Sequence, residues 1–141
     1  MGGQWQLSDA WVFAAIEGTG VEDGYTLTQV VAKGDGINHA ILTEEEFCRA
    51  VPRLAAAGLI GAELGADRYW HTEKGSELYA RCMRRRGLFG WIDAIPPALR
   101  RLGSPFDGPW NLPPGAFDNA VREWHRQALQ IRARLDRGRR R

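Results

Sequence analysis

A mainly α-helical fold with one small β-hairpin and a helical C-terminal extension is predicted by three features of the sequence. Thr26 with Gln29 and Thr43 with Glu46 have the spacing of helix-opening capping boxes, each leading into an apolar stretch. Two short strand candidates flank a four-residue turn that contains Gly65. Towards the end of the chain, Phe117, Val121, Trp124, Ala128, Ile131 and Leu135 recur at spacings of four, three, four, three and four. The 141 residues suffice for one moderate core, and 44% hydrophobic with 26% charged residues is a globular balance.

Taken in order, Ser8 is a good N-cap for a helix over residues 9–17, in which Trp11 and Ala15 and also Val12 and Ile16 pair at i, i+4. Glycines 18, 20 and 24 then mark a loop. The Thr26 box, with Tyr25 and Val30 as a hydrophobic staple, opens a short helix from Leu27 to about Lys33, which Gly34 and Gly36 should stop. The Thr43 box opens a longer one to about Ala57, closed by Gly58 as a left-handed residue. Glu44, Glu45 and Glu46 suit the positive end of its dipole, while Pro52 predicts a kink or a later start. Residues 59–63 and 68–71 are the strand candidates, and Thr72 caps a helix to about Arg86. Pro96 and Pro97 restart a short turn through Leu102. The last helix runs from about Gly115 to Arg137, with an a/d-type stripe. That stripe suits either the chain's own core or a homodimer seam, and the apolar segment 88–95 suits either interface.

Charge divides the chain. Residues 1–71 carry 4 basic and 10 acidic groups, a net of −6, whereas residues 72–141 carry 15 and 7, a net of +8. An anion-binding surface is therefore expected from the second half. No stretch approaches eighteen apolar residues, and the N-terminus lacks the basic start and apolar run of a signal peptide. Cys48 and Cys82 make neither a disulfide framework nor a zinc site, so a reducing cytoplasm is the expected compartment.

The run Arg53-Leu-Ala-Ala-Ala-Gly-Leu-Ile60, a hairpin, and then Tyr69-Trp-His-Thr-Glu-Lys-Gly75 resembles a winged helix-turn-helix domain. In the order of its elements the chain is similar to bacterial MarR- and PadR-type transcriptional regulators over residues 7–86. Residues 87–141 form a helical extension, a candidate dimerisation element with a basic tail. The resemblance implies that residues 43–57 form a recognition helix whose first turns enter the major groove. It would place Thr43, Glu44, Glu45, Arg49 and Arg53 near DNA, and the wing tip from Gly65 to Arg68 near the adjacent backbone. Arg81, Arg84, Arg85 and Arg86 are candidate phosphate contacts from the following helix. Arg100, Arg101 and the terminal Arg137–Arg141 run add further cations, which equally suit a helix dipole or a solvated tail.

Two function classes follow. The resemblance favours a DNA-binding transcriptional regulator. The placement of charge favours a non-enzymatic adaptor, because three glutamates at the docking end would sit beside phosphates. Such an adaptor would bind protein through Glu44–Glu46, or through an aromatic surface around Phe89, Trp91 and Trp110. Enzyme chemistry is not expected. His39, His71 and His125 lack metal-ligand spacing, Gly34-Asp-Gly36 lacks the phosphate-loop spacing, and no cofactor motif is present. His39 near Glu44–Glu46 is a minimal acid–base pair that fits a loop residue beside a helix start as well. Cys48 would be a redox sensor if Arg49 stabilised its thiolate, and otherwise a structural thiol. A small-molecule cleft between the two parts of the chain is compatible with the sequence, but no residue set marks one.

Overall fold

The structure, a computed structural model, describes residues 3–85 and 90–139. Its described residues form α1 (Leu7–Ala15), α2 (Leu27–Asn38), α3 (Glu44–Ala56), β1 (Ile60–Glu63), β2 (Arg68–His71), α4 (Glu73–Arg84), α5 (Trp91–Arg100) and α6 (Ala116–Arg139). The fold is mainly α with a small hairpin, as the sequence predicts, and its arrangement is compatible with a winged helix. β1 and β2 pair antiparallel with Ile60 opposite His71 and Glu63 opposite Arg68. Tyr25 joins the hairpin edge: its N–H donates to Tyr69 O at 2.7 Å, and Tyr69 N–H donates back at 2.8 Å.

Local signals set several boundaries correctly. Glu46 N–H donates to Thr43 Oγ1 at 3.1 Å, and Thr43 N–H donates to Glu46 Oε1 at 3.0 Å, so α3 begins at Glu44 and not later. It continues through Pro52, and Gly58 follows at φ +78°. Thr72 Oγ1 accepts from Gly75 N–H at 3.0 Å and opens α4.

Three expectations need correction. α1 starts at Leu7, not residue 9, because Asp9 reaches back to accept from Gln6 N–H at 2.8 Å; Ser8 therefore lies inside the helix. α2 runs five residues beyond Lys33, through Gly34 and Gly36 to Asn38. Gly34 faces α1, where Trp11 Nε1–H donates to its carbonyl at 2.9 Å and an added Cβ would lie 3.3 Å from that nitrogen. Tertiary packing overrides the roughly 1 kcal/mol helix penalty of a glycine. Likewise Pro96 and Pro97 lie inside α5 instead of restarting a turn. Each proline costs about 3 kcal/mol in a helix interior. Trp91, Ile95 and Leu99, spaced by four, are buried together, and each such burial is worth roughly 1.5–3 kcal/mol.

The core is continuous across the chain. α1 packs against α3, α2 and α5, while α6 lies on α2. Trp91 and Ile95 are thereby placed in the chain's own core, and Trp91 Nε1–H donates to Ile37 O at 3.2 Å. Among the described residues, no helix is long and apolar enough to cross a membrane.

Candidate interaction surfaces

The outer side of α3 is the first place to look, since a winged helix presents that face to DNA. Neither of its arginines is fully exposed. Arg53 is buried, its Nη1–H donating to Asp9 Oδ2 at 3.0 Å and to Gln4 O at 2.9 Å, and its Nε–H to Asp107 Oδ1 at 2.6 Å. The expectation that Arg53 lies at a DNA surface is corrected by this geometry, because its guanidinium is taken up by two carboxylates. Arg49 is half-buried and turned towards α1, with Nη2–H donating to Ser8 Oγ at 3.1 Å. Thr43 is exposed, but its hydroxyl is occupied by the capping box. What α3 leaves open is Glu44 and Glu45 at its start and Ala55 and Ala56 at its end.

The segment after α5 crosses α3. Asp107 is anchored by Arg53, an added Cβ on Gly108 would touch Pro52, and Trp110 packs edge-on against Phe47 and Tyr69 at 5.8 and 6.2 Å between centroids. Between this segment and α3 runs an open groove of about 620 Å³, whose charged lining residues are Glu44, Glu45 and Asp107 with Arg49 and Arg53, beside Cys48, Pro109 and Trp110. Trp110 and Trp91 are thus largely packed into the fold, and among the described residues no aromatic patch joins them at the surface. Phe89, the third aromatic of the expected surface, lies outside the described residues.

Burial pushes the Cys48 thiol up from its ordinary value, and the Glu44 charge adds to this. Arg49 is engaged with Ser8, so no thiolate stabilisation of the sensor type is built here. Among the described residues, no hydrogen bond or ion pair joins His39 to Glu44–Glu46, and no group of three potential metal ligands is gathered. His71 is buried, with Nε2 2.8 Å from Phe13 O and its ring stacked on Phe13 at 4.5 Å. That is a core histidine.

Cations gather elsewhere. On the hairpin, Arg68 curls back on its own turn, donating to the carbonyls of Ala66 and Asp67. Arg81, Arg84 and Arg85 are exposed on and just after α4, and Arg86 lies outside the described residues. Arg81 and Arg85 share a cleft of about 210 Å³ with Arg101, while Arg84 is not on its wall. Arg101 was visible in the sequence only as half of an Arg-Arg pair; its convergence with α4 depends on the α4–α5 packing.

The α6 stripe divides in two. Phe117 is buried, Val121 and Trp124 pack against the core, and Trp124 Nε1–H donates to Asp35 Oδ2 at 3.0 Å. Beyond half-buried Ala128, Ile131 is 48% exposed and Leu135 59%. The first half of the expected dimer seam is therefore intramolecular, and only its distal part is open. Compared with known proteins, the chain matches no family model, no curated protein and no solved structure.

Proposed function

We propose that this chain is a non-enzymatic interaction module, a winged-helix-type frame whose partner is a protein. The reading rests on one observation: Arg53 is buried between two carboxylates and Arg49 is half-buried against Ser8, so that among the described residues the fully exposed charged side chains of α3 are Glu44 and Glu45. Reading DNA draws on cationic contacts to phosphates around the recognition element, and a carboxylate surface repels those phosphates. The same surface, beside the groove floored by Trp110, suits a basic, partly apolar polypeptide segment. The test compares wild type with E44Q/E45Q, which leaves the Thr43–Glu46 box intact. Affinity capture followed by mass spectrometry should recover basic proteins with the wild type that the double variant loses. Indistinguishable partner sets would overturn the reading.

A second reading, a DNA-bound regulator of the MarR or PadR kind, is favoured by the clustering of Arg81, Arg85 and Arg101 on one side of the molecule. It makes a separate prediction. Fluorescence anisotropy with a mixed-sequence duplex should show affinity that falls steeply between about 50 and 200 mM salt. Charge reversal at Arg84 and Arg85 should then weaken binding almost uniformly across sequences. Absence of binding at the lower salt would remove this reading.

A further inference from the structure

We propose that the cleft between α4 and α5 is a binding site for a phosphate monoester, held by Arg81, Arg85 and Arg101. The two helices bring these guanidinium groups to one cavity of about 210 Å³. Among the described residues none of the three has a side-chain hydrogen bond or ion pair. Cys82, on the same cavity wall, is close enough to Arg81 and Arg101 for both charges to act on its thiol, against the larger effect of burial. Among the described residues Asp93 is the one acidic residue on the wall, so the described lining carries two net positive charges. A phosphate monoester bears about −1.5 to −2 at pH 7 and matches that balance. Guanidinium forks match phosphate oxygens bidentately, so three arginines are a better fit to this group than three point charges would be. Leu78, Pro97 and Ala98 form an apolar floor, which argues for an ester with an organic part over inorganic phosphate. The site shares no lining residue with the α3 groove, so the proposal does not depend on which protein that groove takes.

Isothermal titration of the full chain in low-chloride buffer tests this, with phenyl phosphate, inorganic phosphate and a mixed-sequence duplex as the three probes. Phenyl phosphate should bind saturably and more tightly than inorganic phosphate. R81Q/R101Q should weaken it at least about tenfold, and R81K/R101K, which keeps the charge without the fork, should fall between. R132Q/R134Q, on exposed α6, should leave it unchanged. Three results would overturn the proposal. The first is absence of saturable phenyl phosphate binding. The second is equal weakening in both glutamine double variants, which is general charge attraction. The third is duplex binding that depends on Arg81 and Arg101 while phenyl phosphate does not bind, which is a backbone contact and not a pocket.

Discussion

Arg53 of α3 and Asp9 of α1 meet in the interior, with Nη1 3.0 Å from Oδ2 and the two side chains 5% and 0% exposed. A buried pair gains little over a well-packed apolar one, but removing one partner strands the other's charge. Arg53→Met should therefore cost about 3–5 kcal/mol in denaturant unfolding. The double variant R53M/D9N should recover part of that loss, since no charge is left stranded. A single variant within about 1 kcal/mol of wild type, the range of exposed pairs, would show that the pair is solvated.

The same guanidinium ties down the segment that covers α3. Asp107 accepts from Arg53 Nε and from Gly3 N–H at 3.3 Å, and these bonds hold its carboxyl below the usual range, Arg53 being the larger cause. Asp107 is 47% exposed, so its own contribution to stability is small. Asp107→Asn should leave the unfolding midpoint nearly unchanged while raising amide exchange across residues 106–111. Unaltered exchange there would mean that Trp110 alone holds the segment.

Legibility in the sequence follows the distance over which each cause acts. The Thr43 box and the Gly58 stop are set within a few residues, and both were readable. α2 runs through Gly34 because of Trp11, 23 positions away, and α5 tolerates its prolines because Trp91, Ile95 and Leu99 face a core built by other helices. No local rule contains those partners. The candidate site failed in the same way. Arg49 and Arg53 lie where a recognition helix carries its cations, but Ser8, Asp9 and Asp107, at separations of 41, 44 and 54 residues, take them inward. The charge asymmetry between the halves was legible, as it depends on composition alone.

His71 predicts a pH dependence. Nε2 faces a carbonyl, which only accepts, so Nε2 carries the hydrogen of a neutral ring. Burial is the main cause of its lowered pKa; Lys33 acts in the same direction, and the Phe13 carbonyl and Glu17 oppose. In the unfolded chain histidine titrates near about 6.5. As pH falls through that value the unfolded chain binds a proton that the folded chain refuses, and stability is lost until the lower folded-state pKa is passed. The melting temperature should drop between about pH 7.5 and 5.5, and His71→Gln should flatten the slope. Parallel slopes in both proteins would assign the effect to other groups.

Gly75 is required by packing, not by its backbone angle. A Cβ there would lie 1.9 Å from Leu59 O, which also accepts from Thr72 N–H at 3.1 Å where the hairpin meets α4. Backbone cannot rotate away as a side-chain tip can. Gly75→Ala should cost about 1–3 kcal/mol, the range for overpacking, despite alanine's better helix propensity. A stabilised variant would show that the start of α4 shifts freely.

The distal end of α6 makes a prediction about self-association through its sign with salt. Ile131 and Leu135 are open, so Ile131→Glu with Leu135→Glu should leave the melting temperature unchanged, whereas Phe117→Ala, deep in the fold, should cost about 3–5 kcal/mol. Two copies joined along the open stripe would bring together the charges beside it, Arg132, Arg134 and Arg139 against a single carboxylate, Asp136, so repulsion between arginines dominates. Screening that repulsion favours pairing, so any dimer formed this way should strengthen as salt rises. Sedimentation equilibrium at low and high salt, with the wild type and the double glutamate variant, measures this directly. A dimer that dissociates as salt rises would instead place an acidic surface, such as the Glu44–Glu45 end of α3, opposite these arginines.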